Sequence, residues 1–286
     1  MWAAALAWLG MPGAMWLIRA RGRAEWYRDF HRWMSEGGVP DWARHLDSDV
    51  IFLIAGVLTG LLVQVIGPRS GRPLLESAGL SGGPGSRRWA ARGLGVGVLI
   101  GLPMLLFGAV YAMVRGGLPA PDWSVLEGVL VAPFNEEVVY RGVLVFVLWR
   151  VTGWKFWPIA CVSAAIFGSA HVTWTLDGWS DGWMNALPTL AGGLWFAWLA
   201  RRWGESWAGP GRGNIFVPMS LHAMMNLAWA VMQAQGGAVG GMWPNVARGA
   251  TIALGVLWTL RATGGHGGGG DAPPARTEAP TQPGRA

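Results

Sequence analysis

The sequence predicts an all-α fold: a polytopic transmembrane bundle of about eight helices. Three observations lead there. First, 52% of the 286 residues are hydrophobic and 13% are charged, roughly half the charged share of a soluble globular domain. Second, the apolar residues fall in long, nearly uncharged runs, where a water-soluble core would interleave polar positions at helical or strand spacing. Third, the chain has 21 tryptophans, and Trp favours membrane interfaces, where its apolar ring and polar N–H are both accommodated. The formal charge of +6 comes from basic residues, nearly all Arg, lying mostly between the apolar runs. Lipid headgroups explain that placement better than nucleic acid does. The lone Cys161 rules out a disulfide framework.

The elements follow in order. Residues 1–18 form an apolar run ending in Arg19, Arg21 and Arg23, which suits an uncleaved anchor better than a cleaved leader. Residues 19–49 mix Trp, Phe, Arg and Glu and are expected to lie along the interface as an amphipathic segment. Further apolar runs cover 50–66, 93–114, 124–149, 157–171, 186–200, 215–232 and 246–260. Together, residues 50–261 form a transmembrane core. From 262 to 286 the chain is Gly, Pro and small polar residues, too poor in apolar surface to order itself. Loops 67–92, 150–156 and 201–214 carry five, two and three basic residues, whereas 172–185 and 233–245 carry none. The positive-inside rule therefore puts the first group in the cytoplasm. The loop 19–49 opposes this assignment with six arginines, offset by six acidic residues.

Ionisable groups inside such spans cost at least about 2.5–3.5 kcal/mol each unless paired or hydrated, so the few present are informative. Glu127 is accounted for structurally, because Ser124-Val-Leu-Glu127 has the spacing of a capping box. Glu136, Glu137 and Arg141 lie deep in the fourth run, after Pro133, which removes one backbone hydrogen bond and predicts a bend. Glu137 and Arg141 are four apart and share a helix face, so they can neutralise each other. Glu136 points about 100° away, leaving it without a partner on its own helix. His171 closes the fifth run; alone it reads more often as an interfacial histidine bonded to a backbone carbonyl than as a catalytic one. His222 and Asn226 are one helical turn apart in the seventh run, where an interhelical polar clamp is the simpler alternative. Counted at about 1.5 Å per residue from the cytoplasmic ends, Glu136 and His171 lie about 21 Å deep, Asn226 about 16 Å and His222 about 10 Å. One shared cavity is therefore expected.

A carboxylate base, two imidazoles and a carboxamide suffice to hydrolyse an amide with activated water and no protein nucleophile. Other intramembrane chemistries lack their residues. The chain has no His-Glu-x-x-His, Asp177 and Asp181 are expected in a loop, and Ser163, Ser169 and Ser220 lack a Gly-x-Ser-Gly context. His31, His45 and His266 fall outside the spans.

Three motifs in order, Glu136-Glu137-x-x-x-Arg141, Phe167-x-x-x-His171 and His222-x-x-x-Asn226, resemble the CPBP family. It comprises type II CAAX prenyl proteases and bacteriocin-processing or self-immunity proteins, also called the Abi family. The resemblance covers about residues 124–232. It implies an eight-helix intramembrane endopeptidase in which Glu136 and His171 activate water and His222 and Asn226 hold the oxyanion. Glu137 and Arg141 would then support the site. No cofactor is expected; the alternative is zinc held by Glu136, His171 and His222. The implied partners are a peptide or protein substrate and the lipid bilayer, in the cytoplasmic membrane of what the Arg-rich, Lys-poor composition suggests is a bacterium. Monomer is the default. The competing functions are a non-enzymatic immunity factor or scaffold of the same fold and a proton-coupled transporter; for the latter the paired hydropathy halves are missing.

Overall fold

One helix is enclosed by the rest over residues 137–151, and it carries Glu136, Glu137 and Arg141. The computed structural model describes residues 4–264 apart from 6, 14–24, 39–40, 68–72, 84–85, 120–122, 173–178 and 235–238. Asp177 and the tail beyond residue 264 lie outside the described residues. The described residues are helical and contain no strand. Residues 7–13 are helical, with Ala7 and Met11 buried. Next come α1 (Glu25–Glu36) and α2 (Asp41–Ile66), a single turn α3 (Leu74–Ser77) and α4 (Ser86–Val114). The enclosed helix, α5, runs from 123 to 152 in alternating α and π segments. It is followed by α6 (Phe156–Ala170), α7 (Trp179–Ala208), α8 (Phe216–Val231) and α9 (Met242–Thr263).

Segment 19–49 thus divides, because α2 starts at Asp41 rather than near 50. Similarly, α7 starts well before its apolar run, so Asp181 falls in its first turn rather than in a loop. The last helix continues through Ala262 to Thr263, whose hydroxyl accepts from Arg202 Nε at 3.2 Å. Ser124 lies within the first turn of α5, not at the N-cap position that the expected capping box requires.

The outer helices present apolar side chains outward. Along α2, Val50, Ile54, Leu58, Leu61 and Val65 are exposed, and α4 does the same with Leu99, Leu106, Val110 and Met113. In a soluble protein such continuous patches would aggregate; against hydrocarbon they are the favourable surface. Among the described residues, two helices are long and apolar enough to cross a membrane, over Asp49–Ile66 and Arg87–Val114. The shorter Phe156–Ala170 and Phe216–Val231 are also apolar. Fewer helices than eight meet that standard for physical reasons: α5 is interrupted by π segments and carries Glu136, Glu137 and Arg141, while Asn185, Pro188, Thr189, Trp195 and Trp198 dilute the charge-free stretch of α7.

Inside, residues 137–149 of α5 are buried throughout, packed by α2 and α6. Small residues set the spacing. Gly93, Gly97 and Gly101 of α4, four apart on one face, meet Phe216, Val217 and Met224 on or beside α8. A Cβ at Gly101 would stand 2.6 Å from Met224 Cβ, so only glycine allows this approach. Between α5 and α6 the chain turns in three residues; Gly153, with φ 68°, ends the helix in the left-handed conformation.

Polar contacts tie down the end of α5 near this turn. Arg150 donates to the Gly211 carbonyl and, at 2.6 Å, to that of Glu76. Arg212 pairs with Glu76, and Arg201 with Glu205. The Arg201 guanidinium also lies 5.1 Å from the Trp149 ring centroid and 4.7 Å from that of Phe156. These contacts fix the depth of α5 in the bundle.

Candidate active site

Pro133 organises the first part of the site. The segment Glu127–Val131 is π-helical, and the Ala132 N–H bonds to the Glu127 carbonyl five residues back. The same spacing one residue on would pair the Gly128 carbonyl with the N–H of residue 133, but proline has none. Asn226, on α8, takes that place: its Nδ2 donates to the Gly128 carbonyl at 2.7 Å. This bond fixes the carboxamide and leaves its second N–H available. The bend expected at Pro133 is thus met by π-helical widening, a frequent feature of functional sites.

Past the proline, α5 becomes π-helical again over Glu137–Val147. Glu137 and Arg141 are buried side by side, with Arg141 Nη1 3.0 Å from Glu137 Oε1. The same carboxylate oxygen lies 3.0 Å from His222 Nδ1. An ionised carboxylate only accepts, so the proton of this bond sits on Nδ1. The guanidinium is 4.3 Å from the Phe167 ring centroid and 5.3 Å from that of Phe196. Its Nη atoms and Glu137 Oε2 have no aligned hydrogen-bond partner among the described residues. The pair therefore holds by charge and by the ring faces more than by directed bonds. Phe167 also packs edge-on against His171, with ring centroids 4.8 Å apart. One aromatic ring thus links the cation to both imidazole-bearing helices.

Glu136 turns away from this knot, toward open space. Its Oε2 is 3.7 Å from His222 Nε2, too long for a hydrogen bond but within ion-pair range. His171 Nδ1 lies 2.9 Å from the Phe167 carbonyl. A carbonyl accepts, so Nδ1 carries the proton and Nε2 keeps its lone pair in the neutral ring. Glu136, His171, His222 and Asn226 all line one cavity of about 530 Å³. Four groups from three helices, spread along some ninety residues of chain, thus share a wall. Trp195, Phe196, Met225 and Trp229 supply much of the apolar lining.

Among the described residues, no three His, Cys, Asp or Glu side chains stand close enough together to hold a metal ion. The serines are turned to backbone: Ser163 donates to the Tyr140 carbonyl, Ser169 to that of Ile166 and Ser220 to that of Leu94.

Arg248, which was not among the expected site residues, also lines the cavity. It falls two residues inside the last apolar run, where rotation about the helix axis decides whether it meets lipid or the bundle interior. The available signal was an ionisable residue within a span.

Residues 118–228 match the family model described as type II CAAX prenyl endopeptidase, Rce1-like. That match is consistent with a CPBP family intramembrane protease and includes Glu136, Glu137, Arg141, His171, His222 and Asn226. No curated protein and no solved structure matches the chain.

Proposed function

We propose that this chain, with its Rce1-like type II CAAX prenyl endopeptidase domain at residues 118–228, is a multi-pass endopeptidase of the cytoplasmic membrane. It cleaves a peptide or protein held at that membrane. The observation that carries the proposal is the shared cavity wall of Glu136, His171, His222 and Asn226, because each of these side chains has a distinct part in amide hydrolysis.

Glu136 is the base. Its carboxylate faces the cavity and takes a proton from water, whose oxygen attacks the scissile carbonyl carbon. His171, with Nδ1–H engaged by the Phe167 carbonyl, accepts from the same water at Nε2 and orients it. The carbonyl π electrons move onto oxygen, and the oxyanion accepts from the second Asn226 N–H and from an Nε2–H of His222. Glu136 then delivers its proton to the departing amide nitrogen as the C–N bond breaks. Glu137 and Arg141 act through His222: the carboxylate holds Nδ1–H, so the imidazole edge stays turned to the cavity. No metal takes part in this scheme, and no protein atom bonds to the substrate.

The test is cleavage by purified protein in lipid vesicles, read by mass spectrometry against the Glu136→Gln variant. Cleavage that the substitution abolishes supports the proposal, and undiminished cleavage in the variant refutes it. A protein that protects cells against a bacteriocin equally well with Glu136→Gln is instead a non-enzymatic immunity factor of the same fold.

A further inference from the structure

The cavity has a second charged pole that the hydrolytic scheme does not use. Arg248, half-buried on α9, lines the same space as Glu136 and His222, beside Trp229, Ala234 and Ile252. Its guanidinium is held in place from two sides. The Trp229 ring centroid lies 5.3 Å from it, and Trp229 sits three residues after Asn226 on α8. Arg248 also donates to Asn245 Oδ1. Asn245 is itself anchored, its Nδ2 donating to the Val239 carbonyl at 2.6 Å and to the Gly241 carbonyl at 2.9 Å. A cation fixed this way has given up its rotamer freedom before a ligand arrives, which favours tight recognition.

We propose that Arg248 is the specificity residue of the cavity and takes a carboxylate of the bound peptide. This rests on the endopeptidase reading above. A guanidinium matches a carboxylate in shape as well as charge, offering two parallel N–H donors. The walls around it are largely apolar, so the pairing is little weakened by water. Reach limits where that carboxylate lies. The cavity is small, about 530 Å³, and extended peptide advances about 3.3–3.6 Å per residue. The carboxylate therefore belongs within a few residues of the scissile bond. It is either the free C-terminus of a short leaving segment or an Asp or Glu side chain near the cut.

The test uses randomised N-acylated hexapeptides in two matched sets. One set is prepared as free acids and as C-terminal amides. The other is amidated throughout and carries Glu or Gln at one fixed position at a time. Retention on detergent-solubilised Glu136→Gln protein reads binding without cleavage. Free acids retained about 10- to 100-fold better than amides, the range of a charge-assisted hydrogen bond, identify a C-terminal carboxylate. A Glu-over-Gln preference of that size identifies a side chain. In either case, adding Arg248→Gln should collapse the ratio toward one, while Arg248→Lys should restore part of it. Equal retention of acids and amides in both sets overturns the proposal, and so does a preference that survives Arg248→Gln. If Arg248→Gln does not yield folded protein, the acid-to-amide contrast on the Glu136→Gln protein still decides. Peptides that are retained with the predicted contrast but never cleaved by the native protein would refute the endopeptidase reading and leave Arg248 as a carboxylate site.

Discussion

Replacing Glu137 by Gln keeps the shape of the side chain and removes the charge on which the buried knot is built. The carboxylate is fully buried, 3.0 Å from Arg141 Nη1, and the guanidinium is 2% exposed. Removing one member of such a buried pair costs about 3–5 kcal/mol, because the remaining charge has neither water nor counter-ion. The rings of Phe167 and Phe196 still face the guanidinium and offset about 1–2 kcal/mol. A net loss of about 1–4 kcal/mol follows, which in a protein of this size lowers Tm by about 2–16 °C. Arg141→Met should cost a similar amount. The double variant should lose less than the sum by at least about 1 kcal/mol, because it buries no uncompensated charge. Thermal unfolding in one detergent, with all four proteins side by side, measures the cycle. Additivity within about 0.5 kcal/mol, or Glu137→Gln as stable as the native protein, would refute the claim that the pair is coupled. The introduced carboxamide would also offer His222 Nδ1–H a neutral acceptor in place of a charged one. Catalysis should then fall even at temperatures where the variant is fully folded.

Other outcomes follow from single contacts. Pro133→Ala supplies the N–H that the Gly128 carbonyl lacks, so the Asn226 amide should be released and kcat should drop about tenfold or more while the fold persists; unchanged kcat would mean that the Gly128 bond does not position Asn226. Asn226→Ala should lower kcat about 10²–10³-fold if its second N–H meets the oxyanion, and a rise in KM with kcat intact would assign it to substrate binding instead. Gly101→Ala should destabilise the α4–α8 contact by about 1–3 kcal/mol, read as a lower Tm, because its Cβ would stand 2.6 Å from Met224 Cβ. Excess chelator should leave cleavage unchanged; complete loss that zinc restores would overturn the metal-free scheme.

Much of this was legible in the sequence because lipid makes charge expensive. The helices α4, α6, α8 and α9 lie where hydropathy places them, to within a few residues at most ends, since an apolar run has few other stable homes. Glu137 and Arg141 pair as their spacing of four predicts. Other features depend on contacts between distant segments. That Asn226 completes the backbone of α5 at Gly128 requires knowing that the helix is π-helical there, which no periodicity reveals. The bond from Glu137 to His222 spans 85 residues, and nothing in the spacing names His222 as the partner through which Glu137 would support the site. Arg248 was hidden for a similar reason: a helix position specifies a face only once its neighbours are known. Near the N-terminus, a charged segment followed by an apolar run suggested a break near residue 50, yet α2 continues unbroken from Asp41 because backbone bonds, not hydropathy, define a helix end.

Whether the Glu136 carboxylate activates the attacking water is read from kcat for native protein and Glu136→Gln on one peptide substrate, with Kd measured in parallel. Removing a general base costs about 10²–10⁴ in rate while leaving shape and cavity intact. The account predicts a fall in kcat of at least that size with Kd changed less than about threefold, a small difference beside the effect expected. A Glu136→Gln protein that turns over at the native rate, or whose lower activity is explained entirely by weaker binding, would contradict it.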